Sequence, residues 1–182
     1  MGERLYVGID LGTYQSTIAS SAGSMETIET VVGRPKDPIA RNMLKRDVLF
    51  GNEALQNKMS CNLYRPMAAG VAQDDEANLA AAKAFVTHLI ESVGPEEYDE
   101  VFGVICSPSH VSFTDKSNLV ATLRGQVNAI MVVTEPFATA YGIGEYNGTI
   151  CVDIGAGTTD IARLYGIFPT DEDQLTIQEA GD

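Results

Sequence analysis

Basic residues are scarce in this chain, and their scarcity excludes several classes of function. Only 12 Lys and Arg stand against 25 Asp and Glu among 182 residues, so the formal net charge is −13. Surfaces that bind nucleic acid or anionic membranes need clustered positive charge. We therefore expect no nucleic-acid partner.

Cysteines are few and long hydrophobic runs are absent. The three cysteines, Cys61, Cys106 and Cys151, are odd in number, far apart and not arranged as C-x-x-C. This spacing indicates neither a disulfide framework nor a zinc site, and it is typical of a reducing cytosol. No apolar stretch is long enough to span a bilayer, and no signal peptide opens the chain. We expect a cytoplasmic protein without direct membrane insertion.

Several common catalytic motifs are also missing. There is no G-x-x-x-x-G-K-[ST] sequence, so a P-loop is excluded. Residues 155–157 (GAG) match half of a Rossmann fingerprint, but residues 159–165 read as a strand where that motif requires a helix. No Ser or Cys nucleophile elbow accompanies His88 or His110, so both histidines are interpreted as structural.

Two similar segments stand out in what the sequence does contain. Residues 7–13 (VGIDLGT) and 152–160 (VDIGAGTTD) each combine an apolar strand, an Asp, a glycine turn, Thr and a second strand. Backbone N–H groups at such a hairpin tip can bind phosphate oxygens, and glycine allows close approach. An Asp at the strand end can hold Mg²⁺ through water. Each segment alone could be a simple tight turn, but two copies favour a clamp around nucleotide phosphates.

Glu135 is a third candidate for this site. It follows the apolar run 130–133 and precedes a helical pattern, so the strand can bring it to the same sheet edge as Asp10. A carboxylate at that position can simply favour the helix start. Beside two phosphate hairpins, we favour a role in orienting a hydrolytic water.

The order of predicted elements indicates an α/β fold. Strands are expected at 5–10, 16–21, 25–32, 101–106, 130–133, 149–154, 161–165 and 175–178, and helices at 77–93, 112–126 and 135–146. Buried strands that alternate with helices predict a mixed sheet with helices on its faces. Residues 33–72 read as irregular, and the three strands after residue 147 resemble the start of a second, similar unit.

These motifs resemble those of the actin, Hsp70 and sugar-kinase superfamily, and within it the bacterial actins that align magnetosomes. The segments that carry the resemblance are 9–13 (IDLGT), 31–37 (VVGRPKD), 51–54 (GNEA), 134–142 (TEPFATAYG) and 152–161 (VDIGAGTTDI). The similarity runs along essentially the whole chain and includes the irregular insertion.

The resemblance implies a fold and a domain division. The fold would be an α/β, actin-like ATPase (ribonuclease H-like) domain with a mixed five-stranded sheet flanked by helices. Domain I would span residues 1–147, with a small irregular insertion at about 33–72, and residues 148–182 would supply the opening strands of a second such domain. The family continues well past residue 182 into an adenosine-binding motif, so the sequence resembles an N-terminal half.

The resemblance also implies residue roles and the cofactors ATP and Mg²⁺. Asp10 and Asp153 would hold Mg²⁺ through water, and Glu135 would polarise the attacking water with help from Asp153. The phosphates would be bound by Gly12, Thr13, Gly155, Ala156, Gly157 and Thr158. Without an adenosine site, we expect this chain alone to bind nucleotide weakly or not at all and to have little or no ATPase activity.

Three functions follow from the resemblance. The first is a filament-forming cytoskeletal ATPase that organises magnetosomes, with its own protomers and magnetosome-associated adaptor proteins as partners. The second is a monomeric ATPase of Hsp70 or sugar-kinase type. The third is a truncated, non-catalytic paralogue that modulates filaments of a complete protein.

Overall fold

A computed structural model describes residues 2–68, 71–72 and 75–178. In chain order its elements are β1 (Arg4–Leu11), β2 (Gln15–Ser20), β3 (Met25–Glu29), β4 (Val32–Pro35), α1 (Pro38–Leu44), β5 (Leu49–Phe50), α2 (Gly51–Gln56), β6 (Cys61–Tyr64), β7 (Met67–Ala68), β8 (Val71–Ala72), α3 (Glu76–Glu91), β9 (Glu100–Ser107), α4 (Phe113–Leu123), β10 (Ala129–Thr134), α5 (Glu135–Gly142), β11 (Asn147–Ile154), β12 (Thr159–Tyr165) and β13 (Gln174–Ile177). Within these ranges, no helix combines the length and apolar character needed to cross a membrane.

The main sheet has five strands in the order β10-β9-β1-β2-β3. β9 pairs in parallel with both β1 and β10, whereas β1, β2 and β3 form an antiparallel meander. The predicted mixed five-stranded sheet is therefore confirmed. Ile105 of β9 stands beside both Ile9 and Val132, so the carboxyl ends of the three parallel strands meet at one edge, where α/β folds bind their ligands.

The main core lies on one face of this sheet. β1 alternates strictly, with Leu5, Val7, Ile9 and Leu11 buried and the intervening residues exposed. The helices α3 and α4 cover the buried face, and Phe85 of α3 is among the largest fully buried side chains. This alternation leaves the opposite face of β1 free to present Asp10 at its carboxyl end.

Local capping explains where the covering helices begin. The Asp75 carboxylate accepts a hydrogen bond from Asn78 N at 3.0 Å and starts α3 one residue before the expected position. Ser112 and Asp115 form a reciprocal capping box at the start of α4. α5 ends at Gly142, earlier than predicted, because Gly144 adopts a positive φ of 77° that turns the chain.

The insertion at 33–72 is more regular than the sequence suggests. It contains the helices α1 and α2 and an antiparallel sheet in the order β5-β4-β6, around a small core of Val31, Leu49, Ala54 and Cys61. The prediction of an irregular segment was wrong for β4, α1 and β6, because elements of four to seven residues are too short to show a hydrophobic period.

A second, smaller sheet follows α5. Its antiparallel strands are ordered β11-β12-β13, and one face packs on α5 through Ala140, Ala162 and Leu164. The strands after residue 147 appear where they were predicted. Residues 179–182 of the predicted second unit lie outside the described part of the chain, and the boundary at 147/148 stays a prediction.

The packing of Phe85 leads to a stability prediction. Phe85→Ala should lower the free energy of unfolding by about 3–5 kcal/mol, because it removes buried ring surface and leaves a cavity under the main sheet. Phe113 is 86% exposed at the start of α4, so Phe113→Ala is a matched control that should change stability by less than about 0.5 kcal/mol. Urea unfolding followed by circular dichroism measures both, and equal losses would contradict the assignment of the core.

Candidate functional site

One cleft is lined by all the site residues that the sequence predicts. Its volume is about 280 Å³, and the tips of the β1–β2 and β11–β12 hairpins form two of its walls. All nine predicted site residues line it: Asp10, Gly12, Thr13, Glu135, Asp153, Gly155, Ala156, Gly157 and Thr158. The two hairpins therefore face a common space, as a phosphate clamp requires, while the individual roles of these residues stay predictions.

Buried hydroxyl groups hold the first hairpin from beneath. The Thr30 hydroxyl donates to the carbonyl oxygen of Gly12 at 2.7 Å and is hydrogen-bonded to the Ser16 hydroxyl, also at 2.7 Å. The Thr30 backbone N–H donates to Tyr14 O at 2.8 Å. Thr30 and Ser16 are almost completely buried. Together these bonds fix the turn that carries Gly12 and Thr13.

The first hairpin requires glycine at position 12. A Cβ atom on Gly12 would overlap with the carbonyl oxygen of Gln15, which is part of the same turn. The backbone can close the turn this tightly only where no side chain is present. Tyr14 and Gln15, which the sequence reasoning did not assign to the site, also line the cleft.

The second hairpin closes through its own backbone. Gly155 N donates to Thr158 O at 2.8 Å, and the chain continues directly into β12 at Thr159. The strand after the turn confirms that this segment is not a Rossmann motif, which would require a helix there. Asp153 lies directly opposite Asp160 on the neighbouring strand.

Glu135 reaches the cleft from the third side. β10 ends at Thr134 and α5 begins at Glu135, so the carboxylate stands at the carboxyl edge of the main sheet. The Thr134 side chain makes no capping bond, and its hydroxyl oxygen is buried without a hydrogen-bond partner among the described residues. The helix start therefore lacks a side-chain cap, and Glu135 is the acidic residue of its first turn.

The carboxylates of the cleft repel one another. Loss of hydration, followed by the charges of Asp10, Asp160 and Asp153, raises the pKa of Glu135 from 4.5 to about 8. Loss of hydration and the Asp153 charge also raise the pKa of Asp10, although its side chain opens into the cleft. The pKa of Asp153 is raised by desolvation and by Asp160. The cleft thus concentrates negative charge that nothing in its lining neutralises.

This charge distribution fits a hydrated divalent cation. No Lys or Arg is among the residues that line the cleft. Among the described residues, no three acidic, His or Cys side chains lie close enough together to bind an ion directly. Mg²⁺ usually keeps several of its waters and contacts one or two carboxylates, so Asp10 and Asp153 suit the water-mediated binding that the sequence predicts.

Cys106 lies beside the same carboxylates at the end of β9. Burial, with the charges of Asp10, Glu135 and Asp153, raises the pKa of its thiol to about 12. The thiol therefore remains protonated and unreactive near neutral pH. The three cysteines are free, as the sequence predicts.

Both histidines lie away from the cleft. His88 is a half-buried residue of α3 and stacks on Phe50 with ring centroids 4.2 Å apart. His110 donates its backbone N–H to the Thr176 hydroxyl at 2.8 Å, and its ring Nε2 is 3.1 Å from Asp171 O. These contacts agree with the structural role predicted for both residues.

Comparison with known proteins identifies the family. A sequence-family model described as "MreB/Mbl protein" matches residues 4–167. This chain belongs to the MreB/Mbl family of actin-like proteins. It is 38% identical over 179 residues to the actin-like protein MamK of Magnetospirillum gryphiswaldense, a match that covers 98% of this chain and 50% of MamK. The chain therefore spans about half the length of this relative.

Solved structures agree with the family assignment. A MamK double helical filament superposes with a TM-score of 0.92 at 37% identity, covering 97% of this chain and 55% of the MamK chain. A non-polymerising MamK mutant bound to AMPPNP gives a TM-score of 0.85 at 35% identity, covering 99% of this chain and 56% of the other. The predicted actin-like fold is confirmed.

The first hairpin leads to a prediction about glycine. Gly12→Ala should lower the free energy of unfolding by about 1–3 kcal/mol, because the new Cβ forces the turn away from Gln15 O. Gly8 lies in the same strand with open space around its would-be Cβ, so Gly8→Ala should leave stability nearly unchanged. Thermal unfolding of both variants measures the difference, and an equal effect at the two positions would refute the proposed close approach.

The pKa of Glu135 leads to a prediction about pH. Since the folded protein holds this proton between pH 4.5 and about 8 while the unfolded chain releases it, the free energy of unfolding should fall as pH rises through that interval. Glutamine at this position does not titrate. The free energy of unfolding of Glu135→Gln relative to wild type should therefore increase by roughly 1 kcal/mol per pH unit and level off above pH 8.

Urea unfolding between pH 4 and 9, in buffer with a metal chelator, measures this pH dependence. Glu26 is an exposed glutamate of β3, and Glu26→Gln is the control that should follow the wild-type curve. A stability difference between Glu135→Gln and wild type that does not change with pH would show that Glu135 titrates normally.

Proposed function

We propose that this chain is the N-terminal half of a filament-forming actin-like ATPase and binds the phosphates of Mg-ATP between its two hairpins. The observation that carries the proposal is the shared cleft, in which both glycine turns face Asp10, Glu135 and Asp153. The AMPPNP bound to the non-polymerising MamK mutant supports a nucleoside triphosphate as the ligand. The acidic cleft between two glycine turns suits phosphate groups accompanied by a hydrated cation.

Each group in the cleft has a distinct part in this proposal. The backbone at Gly12, Thr13 and 155–158 binds phosphate oxygens from two sides and fixes the line of attack. Asp10 and Asp153 hold the hydrated Mg²⁺, which neutralises phosphate charge when bound. Phosphoryl transfer depends mainly on such positioning and charge neutralisation, so these residues provide the parts that hydrolysis needs.

Glu135 would orient and polarise the attacking water. Its carboxylate stands at the start of α5, on the wall of the cleft between the two hairpins. The raised pKa places its titration near neutral pH, which is suited to a group that accepts and returns a proton. A bound cation would lower that pKa again and keep the carboxylate ionised for this role.

Self-association and location follow from the relatives. The MamK filament, which superposes on 97% of this chain, supports filament protomers as its partners. The similarity of this chain to MamK supports a cytoplasmic, cytoskeletal role in organising magnetosomes. Magnetosome-associated adaptor proteins would be further partners. Because the chain spans half of MamK, we propose that hydrolysis and polymerisation require the complementary half and that this chain alone has little or no ATPase activity.

Nucleotide titration monitored by two-dimensional NMR tests the phosphate clamp, because the method detects weak binding. Mg-ATP should shift the amide signals of residues 12–15 and 155–158, whereas AMP, which lacks the outer phosphates, should shift neither set. Removal of Mg²⁺ should weaken binding by at least about tenfold, since the carboxylates then repel the phosphates. Asp10→Asn should reduce this dependence on Mg²⁺.

The matched control for that variant is Asp47→Asn, which removes an exposed carboxylate that pairs with Arg41 outside the cleft. It should bind Mg-ATP as the wild type does. Equal responses to ATP and AMP, or shifts confined to one hairpin, would contradict the proposed clamp.

A further inference from the structure

Asp160 is a buried carboxylate to which the proposed phosphate chemistry assigns no role. Its residue is only 1% exposed, and it lies on β12 directly opposite Asp153 on β11 and Thr176 on β13. Like charges directly opposite each other in a sheet destabilise it, and a buried carboxylate is costly unless it is well hydrogen-bonded. Hydrogen bonds to the Asp160 carboxylate must therefore compensate this cost.

One oxygen of the Asp160 carboxylate accepts two hydrogen bonds from other parts of the chain. Its Oδ1 accepts from Ser109 N at 2.7 Å and from the Thr176 hydroxyl at 2.6 Å. The Thr176 oxygen in turn accepts from His110 N at 2.8 Å. The Asp160 Oδ2 atom is buried and has no hydrogen-bond partner among the described residues.

These bonds connect the loop that follows β9 of the main sheet to the second sheet, next to the second hairpin. Ser109 and His110 follow the end of β9, whose Ile105 pairs with Ile9 just before Asp10 and the first hairpin. Asp160 is the second residue of β12, immediately after the second hairpin. The Oδ1 atom therefore joins the carboxyl edge of the main sheet to the strand that carries the opposite phosphate turn. The apolar packing of α5 on the small sheet involves Ala162 and Leu164, which lie two and four residues farther along β12 than Asp160.

We propose that Asp160 is a positioning residue, which holds the second phosphate hairpin opposite the first by binding the Ser109–His110 segment through Oδ1. Removal of this acceptor should free residues 107–110 and, with them, the turn at 155–158. The effect on the hairpin follows from the contacts alone, whereas the effect on nucleotide binding rests on the proposed function.

Two substitutions at Asp160 separate geometry from charge. Asp160→Asn keeps an oxygen that can accept from Ser109 N and the Thr176 hydroxyl, whereas Asp160→Ala removes it. A positioning role through Oδ1 predicts that Asn preserves the hairpin and Ala releases it. If the charge were what mattered, Asn and Ala would behave alike.

Hydrogen–deuterium exchange without nucleotide tests the hairpin directly. Asp160→Ala should raise amide exchange at least about tenfold at Ser107, Ser109 and His110 and also at residues 155–159, consistent with loss of the hydrogen bonds to Oδ1. Asp160→Asn should stay close to wild type in both segments. Faster exchange at 107–110 with no change at 155–159 would overturn the proposal, as would an Asn variant that exchanges like Ala.

Two further variants complete the design. Asp173 accepts hydrogen bonds from Arg163 and Thr170 in the same small sheet region but does not line the cleft, so Asp173→Ala should leave residues 155–159 protected. If Asp160→Ala does not fold, Thr176→Val removes one donor to Oδ1 and the acceptor for His110 N while the chain keeps its charge. It should raise exchange in the same two segments, and unchanged exchange at 155–159 would refute the proposal.

Nucleotide titration of the same variants separates the two proposals. Where wild type binds Mg-ATP, Asp160→Ala should weaken binding by about tenfold to a hundredfold and Asp160→Asn by much less, because both hairpins must face the phosphates together. Equal affinities in wild type and Asp160→Ala would overturn the positioning role. Failure of wild type to bind any nucleotide would contradict the proposed function, and the exchange measurement would still decide whether Asp160 positions the hairpin.

Discussion

Parallel pairing of β9 with β1 and β10 is the constraint on which the site depends. Their register brings the carboxyl ends of three strands to one edge, where β1 delivers Asp10 and β10 delivers Glu135. No loop has to reach across the molecule to assemble these carboxylates. The second hairpin comes from the smaller sheet, and α5, which begins at Glu135, leads the chain directly to it. Assembly of the cleft is thus a consequence of strand order.

Electrostatics in the cleft opposes folding and favours a ligand. Desolvation, with the charges of neighbouring carboxylates, raises the pKa of Glu135, Asp10 and Asp153. The folded protein is therefore less stable than it would be with neutral residues in the cleft. Such a loss of stability is common at functional sites. The same repulsion increases the benefit of a bound cation, since any species that neutralises the cleft also stabilises the fold.

Much of this site could be predicted from the sequence because its parts are local. Each hairpin places an Asp, a glycine turn and a Thr within a few consecutive residues, and Glu135 follows its strand directly. The supports of the hairpins could not be found in this way. Thr30 contacts Gly12 across 18 positions, and Asp160 contacts Ser109 across 51. Only the folded chain brings such pairs together, although a Thr within an apolar run and a second Asp after the turn were visible signals.

Residues 33–72 are a second part of the fold that could not be predicted fully from the sequence. Its strands and helices are too short to display a period, yet their cooperation around Leu49 and Ala54 produces a small core. Pairing of β4 with both β5 and β6 depends on residues that lie well apart in the chain. The longer elements α3, β1 and β9, by contrast, each show their pattern within a single segment, and their positions were predicted to within a few residues.

The location of Cys106 has a chemical consequence for the cleft. A thiol beside the proposed nucleotide site would be sensitive to oxidative stress as a thiolate, since peroxide attacks the thiolate and the resulting sulfenic acid is bulkier and polar. Here burial, with the charges of Asp10, Glu135 and Asp153, suppresses the thiolate. The burial of Cys106 and the negative charge beside it therefore protect its sulfur from oxidants.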